Sequence, residues 1–62
     1  MKKQFYIYCK IITSDYHIKT VEVTLHDATY KDVNDTIKQL KEKYTVRYIG
    51  VWEEDTQIIG GN

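Results

Sequence analysis

The chain has 62 residues, 42% of them hydrophobic and 13% aromatic, and its nine basic and nine acidic side chains cancel. Zero net charge removes any global electrostatic pull toward DNA, RNA or an anionic membrane, and it excludes the acidic surface of a DNA mimic. The apolar content is too high for a disordered chain, and no apolar run approaches the ~18 residues of a membrane-spanning helix.

Met1-Lys2-Lys3 is basic, but the alternating residues that follow supply neither an apolar h-region nor a small-residue cleavage site, so no signal peptide is expected. Residues 4–13 read as a first strand. Phe5, Ile7, Cys9 and Ile11 fall on one face and Gln4, Tyr6, Tyr8 and Lys10 on the other, because successive strand side chains point to opposite sides. The first set is a core face. The second set, two tyrosines beside a lysine, is apolar yet wettable and is the leading candidate for a binding surface. Cys9 is the only cysteine, so no intrachain disulfide can form and a four-ligand zinc site is not expected. On the apolar face it reads as a small core hydrophobe, and its presence fits a reducing cytoplasm.

Ser14-Asp15 predicts a hairpin turn over 13–16. Residues 16–25 then read as a second strand, with Val21, Val23 and Leu25 on one face and Glu22 and Thr24 on the other. Ile18 has the wrong parity for the apolar face, which a bulge near Lys19-Thr20 or an outward Ile18 would reconcile. Thr29 followed by Asp32 resembles a capping box, with Asp27 as a rival cap. Tyr30, Val33, Ile37, Leu40 and Tyr44 follow at steps of three and four, one stripe along a helix. Lys38, Lys41 and Lys43 lie off that stripe near the C-terminal end, where the helix dipole favours cations.

Residues 45–52 read as a third strand whose alternation splits into Val46, Tyr48 and Trp52 against Ile49 and Val51. A strand apolar on both sides is central or covered twice. Gly50 in its middle indicates a bulge, or a place where another chain passes close by. Glu53-Glu54-Asp55-Thr56 reads as a turn, and Gln57-Ile58-Ile59 as a fourth strand that the pattern alone leaves open. The expected fold is a single two-layer α+β domain over residues 1–62: ββαβ or ββαββ, an antiparallel sheet with one helix on one face and a flexible tail at 60–62. With the fourth strand, the element order resembles the β-grasp arrangement of ubiquitin-like and immunoglobulin-binding bacterial domains; the resemblance covers order and length only. The absence of proline leaves strand edges to be protected by charge, twist or pairing.

No constellation points to catalysis, a metal or a cofactor. His17 and His26 sit near opposite ends of the second strand, too far apart to share a ligand. Cys9 lacks a histidine opposite it, and Ser14-Asp15 is a turn pair. Glu53-Glu54-Asp55 reads as a solvated turn, and Asp32, Asn34 and Asp35 lie within the helical pattern without the glycine of a calcium loop. All three glycines follow residue 49, so no phosphate loop exists.

What remains is binding. Tyrosine, tryptophan and arginine dominate interaction hot spots. Tyr30, Tyr44 and one of Tyr48 and Trp52 serve the core, which leaves Tyr6, Tyr8 and Tyr16. The expected function is a small non-enzymatic, cytoplasmic adaptor or inhibitor that binds another protein through Tyr6, Tyr8 and Lys10, with Arg47 and Trp52 as secondary candidates. Small motif-free domains of this kind are common among phage and mobile-element accessory proteins. Self-association would supply burial that a chain this short lacks. The alternative is single-stranded nucleic-acid binding on the same face, with Lys19 or Arg47 holding phosphates. No membrane partner is expected.

Overall fold

A computed structural model describes residues 3–60. The elements run β1 (Lys3–Ile12), β2 (Ile18–Ala28), α1 (Tyr30–Lys43), β3 (Thr45–Glu53) and β4 (Thr56–Ile59). They form one four-stranded sheet of order β2-β1-β3-β4 in which every neighbour is antiparallel. The fold is thus α+β, and the fourth strand exists. β2 and β3 both run against β1, so they are parallel to each other across it. Such a pair needs a long crossover; the 14 residues of α1 supply it, spanning about 21 Å at 1.5 Å per residue. The element order is that of the β-grasp arrangement, but the pairing is not. A β-grasp sheet sets its first and last strands side by side in parallel, whereas here β1 lies antiparallel to β3 and β4 takes the edge.

The core is built as the alternation predicts. Phe5, Ile7, Cys9 and Ile11 are buried beneath α1, joined by Val33 and Leu40 of the helix, Val51 of β3 and Ala28. Val21, Val23, Leu25 and Ile37 pack on its margin. Thr29 caps the helix: its side chain accepts from Asp32 N–H while the Asp32 carboxylate accepts from Thr29 N–H at 2.9 Å, and Asp27 takes no part in this cap. Of the two ends of the stripe, Tyr44 packs on the margin of the core as expected, while Tyr30 departs from it. Tyr44 is the C-cap, its N–H donating to Leu40 O at 2.9 Å. Tyr30 is 56% exposed, laying its ring edge on Phe5 at 5.5 Å and donating its hydroxyl to Glu53.

Three register shifts correct the predicted parities. Between Lys3 and Phe5 of β1, the β2 strand carries an extra residue at His26-Asp27, which turns Ala28 into the core. No bulge occurs at Lys19-Thr20, where pairing with Ile11 and Lys10 is continuous, so Ile18 points outward and is 66% exposed. Opposite Lys10 and Ile11, Arg47 is the extra residue of β3; this lets Val46 reach the core side with Ile49 and Val51. Ile58 is the extra residue of β4. Of the expected tail, Gly60 follows β4 directly with φ of 107°, and Gly61 and Asn62 lie outside the described residues.

Glu53 is a strand residue, not part of the turn. Lys3 Nζ donates to its Oε2 at 2.7 Å, and Tyr30 donates to Oε1. Lys3, then Tyr30, hold the Glu53 carboxyl below the ordinary carboxylate range against an opposing desolvation. A folded pKa below the unfolded one adds stability above the ordinary glutamate value of about 4.3, and that stability is lost as pH falls through the folded value. In thermal melts, Glu53→Gln should therefore lie below the parent at pH 7 and converge with it on acidification. A gap that stays constant down to acid pH contradicts this role for Glu53.

The first hairpin turns through Thr13–His17, with Tyr16 N–H donating to Thr13 O at 3.0 Å and Thr13 N–H to His17 O at 2.8 Å. This is a type I turn followed by a left-handed residue, a position that glycine normally occupies. Here it is Tyr16, with φ of 65° and 87% exposed. Left-handed backbone costs a non-glycine residue about 1 kcal/mol, and Tyr16 has little burial to offset it. Tyr16→Gly should raise unfolding free energy by about 0.5–1 kcal/mol in urea melts; a loss of stability would show that the tyrosine ring makes a compensating contact.

Candidate functional site

The face of the sheet turned away from α1 carries Tyr6, Tyr8, Lys10 and Ile12 from β1. The pairing sets Thr24, Glu22, Thr20 and Ile18 of β2 beside them on one side, and Trp52, Gly50 and Tyr48 of β3 on the other. Cross-strand neighbours on one face lie close enough for rings to touch. Tyr6 and Trp52 stack at 5.9 Å between centroids with 56° between planes, and Tyr8 meets Tyr48 edge-on at 6.3 Å. All four rings are half-buried by this mutual packing. Tyr48 and Trp52 thus belong to the outer face and not to the core, which settles the orientation of Trp52.

Gly50 is the floor of the cluster. A Cβ there would stand 2.9 Å from Trp52 Cζ3 and 3.3 Å from Tyr48 Cε1, so both rings lean over the space that glycine leaves. Gly50 pairs with Tyr8 in a regular stretch of β1–β3, so the bulge expected there is absent; the close approach is made by side chains two residues away on either side, and Gly60 packs beside it from the end of β4. The Tyr48-x-Gly50-x-Trp52 spacing was the available signal: at period two, rings flank a bare position on one face.

Polar groups border the rings. The Tyr6 hydroxyl donates to Glu22, and that hydrogen bond to the carboxylate raises the phenol above its ordinary pKa. Lys10 is exposed beside Tyr8 and Tyr48. Arg47 is exposed in the β3 bulge and lines an open groove of about 710 Å³ with Lys41, Tyr44, Val46 and Ile59. The structure therefore brings together Tyr6, Tyr8, Lys10 and Trp52, and leaves Arg47 in the bulge of β3, beside Lys41 and Tyr44 at the end of the helix. Lys19 pairs with Ile11, a core-side position, so it does not share the tyrosine face.

Elsewhere the chemistry is quiet. Cys9 is fully buried, and burial pushes its thiol pKa up, away from the reactive thiolate. Among the described residues, no three His, Cys, Asp or Glu side chains converge in a way that could hold a metal ion. No helix of the described residues is long and apolar enough to cross a membrane. In comparisons with known proteins, the chain matches no protein-family model, no curated protein and no solved structure at a significant level.

Gly50→Ala isolates the cluster from the core. Alanine gains about 0.5–1 kcal/mol of strand preference over glycine, which offsets the displacement of two ring tips. The melting temperature should stay within a few degrees while the emission of Trp52, the sole tryptophan, shifts to the red as the ring moves toward water. Unchanged emission would place the indole elsewhere than above Gly50.

Proposed function

We propose that this chain is a non-enzymatic protein-binding module, an adaptor or inhibitor, that works through the outer face of its sheet in the cytoplasm. The observation that carries this reading is the four-ring cluster of Tyr6, Tyr8, Tyr48 and Trp52, which no element of the described chain covers. Its composition is that of interface hot spots: amphipathic rings, stiff at two torsions, ringed by polar groups. Glu22 on one side and Lys10 on the other give the rim both signs of charge. Ile12 and Ile18 extend the apolar surface toward the first hairpin.

The same face suits single-stranded nucleic acid less well. Its rings pack edge to plane and against one another, which leaves few open faces for bases. Glu22 places a carboxylate beside Tyr6, and Lys19 lies on the other side of the sheet. The cytoplasmic assignment rests on the single unpaired cysteine.

Immobilised protein should retain a specific partner from its native lysate, identified by mass spectrometry. Tyr8→Ala and Trp52→Ala should each weaken that retention at least about tenfold, as hot-spot truncations do, while circular dichroism shows the fold intact. Retention that survives both substitutions moves the binding surface away from this face. Salt-sensitive capture of single-stranded RNA at ~50 mM salt would favour the nucleic-acid alternative, since phosphate contacts are strongest there.

A further inference from the structure

The two edges of the sheet differ. β4 is four residues long and interrupted by the extra residue Ile58, both devices that blunt an edge. β2 is 11 residues long, contains no proline, and pairs with β1 without interruption from Ile18 to Leu25. Among the described residues nothing pairs with its other side. The hydrogen-bond phase follows from the hairpin, where Thr13 N–H donates to His17 O. Antiparallel ladders alternate, so Lys19, Val21, Val23 and Leu25 bond to β1, while Ile18, Thr20, Glu22 and Thr24 direct their N–H and C=O groups to the open edge. On the helix side, Val21 and Val23 are half-buried and border a groove of about 390 Å³ formed with Thr36, Gln39 and Leu40 of α1.

We infer that β2 pairs antiparallel with β2 of a second copy about a two-fold axis at Val23, merging two four-stranded sheets into one. Self-pairing keeps each face on its own side only in registers that match residues of equal parity, so few are open. An axis at Glu22 sets that carboxylate against its own copy, a repulsive pair. An axis at Val21 sets Lys19 against the partner's Val23. The axis at Val23 removes both conflicts. It pairs Val23 with its own copy, Val21 with the partner's Leu25 beside the groove, and Glu22 with the partner's Thr24, all within the uninterrupted stretch Ile18 to Leu25. The seam runs along the border of the aromatic face, with Glu22 and Thr24 beside Tyr8 and Tyr6, so an eight-stranded dimer would present two copies of that face on one side.

The register makes the test specific. Light scattering over roughly 1 µM to 1 mM should show a monomer–dimer equilibrium. Thr24→Glu places two like-charge pairs across the interface and should weaken the dimer about tenfold, whereas Thr24→Lys meets the partner's Glu22 and should hold or tighten it. In hydrogen exchange followed by NMR, the amides of Thr20, Glu22 and Thr24 should become protected as concentration rises. A monomer at every concentration overturns the inference. So does a dimer that both Thr24 variants alter equally, or one whose formation leaves those three amides unprotected.

Discussion

A single helix can cover one face of a sheet, and the rest of this structure follows from that limit. The stripe of α1 is satisfied by Phe5, Ile7, Cys9 and Ile11 of the central strand, with Val51 beside them. Every second residue of those same strands must then face the other way, with no layer to hide it. The chain answers with side chains large enough to shelter one another. Tyr6 leans on Trp52 and Tyr8 on Tyr48, so the outer face is a second cluster built on ring contacts, with the Tyr6 hydroxyl tied to Glu22. The first cluster secures the fold, and the second gives the surface its recognisable chemistry.

The register shifts decide which residues join which cluster. Arg47, as the extra residue of β3, keeps Tyr48 and Trp52 outside while returning Val46 to the inside. The His26-Asp27 bulge does the same at the end of β2, burying Ala28 and aiming the chain at the helix cap. Asp27 and Glu54 hold positive φ there and in the second turn, as Tyr16 does in the first. Among the described residues, positions usually given to glycine are thus filled by side chains in three places, while glycine itself stands at Gly50 and at the close approach of Gly60.

Much of this was legible in the sequence. The two faces of β1, the capping box at Thr29 and Asp32, and the Val33–Leu40 stripe are local periodic signals, and the structure keeps them. Strand order was not legible, because pairing of β1 with β3 joins residues far apart in the chain, from Ile12 with Thr45 to Phe5 with Glu53. Nor were the bulges, since one extra residue flips parity and leaves no mark in composition. That flip is why Tyr48 and Trp52 read as core candidates when they lie outside. Glu53 was misread for a related reason: its neighbours Glu54 and Asp55 form the turn, and only the fold brings Lys3 and Tyr30 to it. Of the candidate site, Tyr6, Tyr8 and Lys10 came from simple alternation, whereas the role of Gly50 needed the third dimension.

The placement of Cys9 has a consequence for how the molecule opens. Its thiol lies fully buried at the middle of β1, with β2 on one flank, β3 on the other and the helix above. Fraying of β4, the edge strand that does not touch β1, leaves it covered. A thiol-specific reagent therefore reaches it only when β2, β3 or the helix is released from β1, which opens the core. The single thiol is a clock for opening of the core, silent to the local motions of the turns and of β4, and oxidants meet the same barrier for as long as the core stays closed.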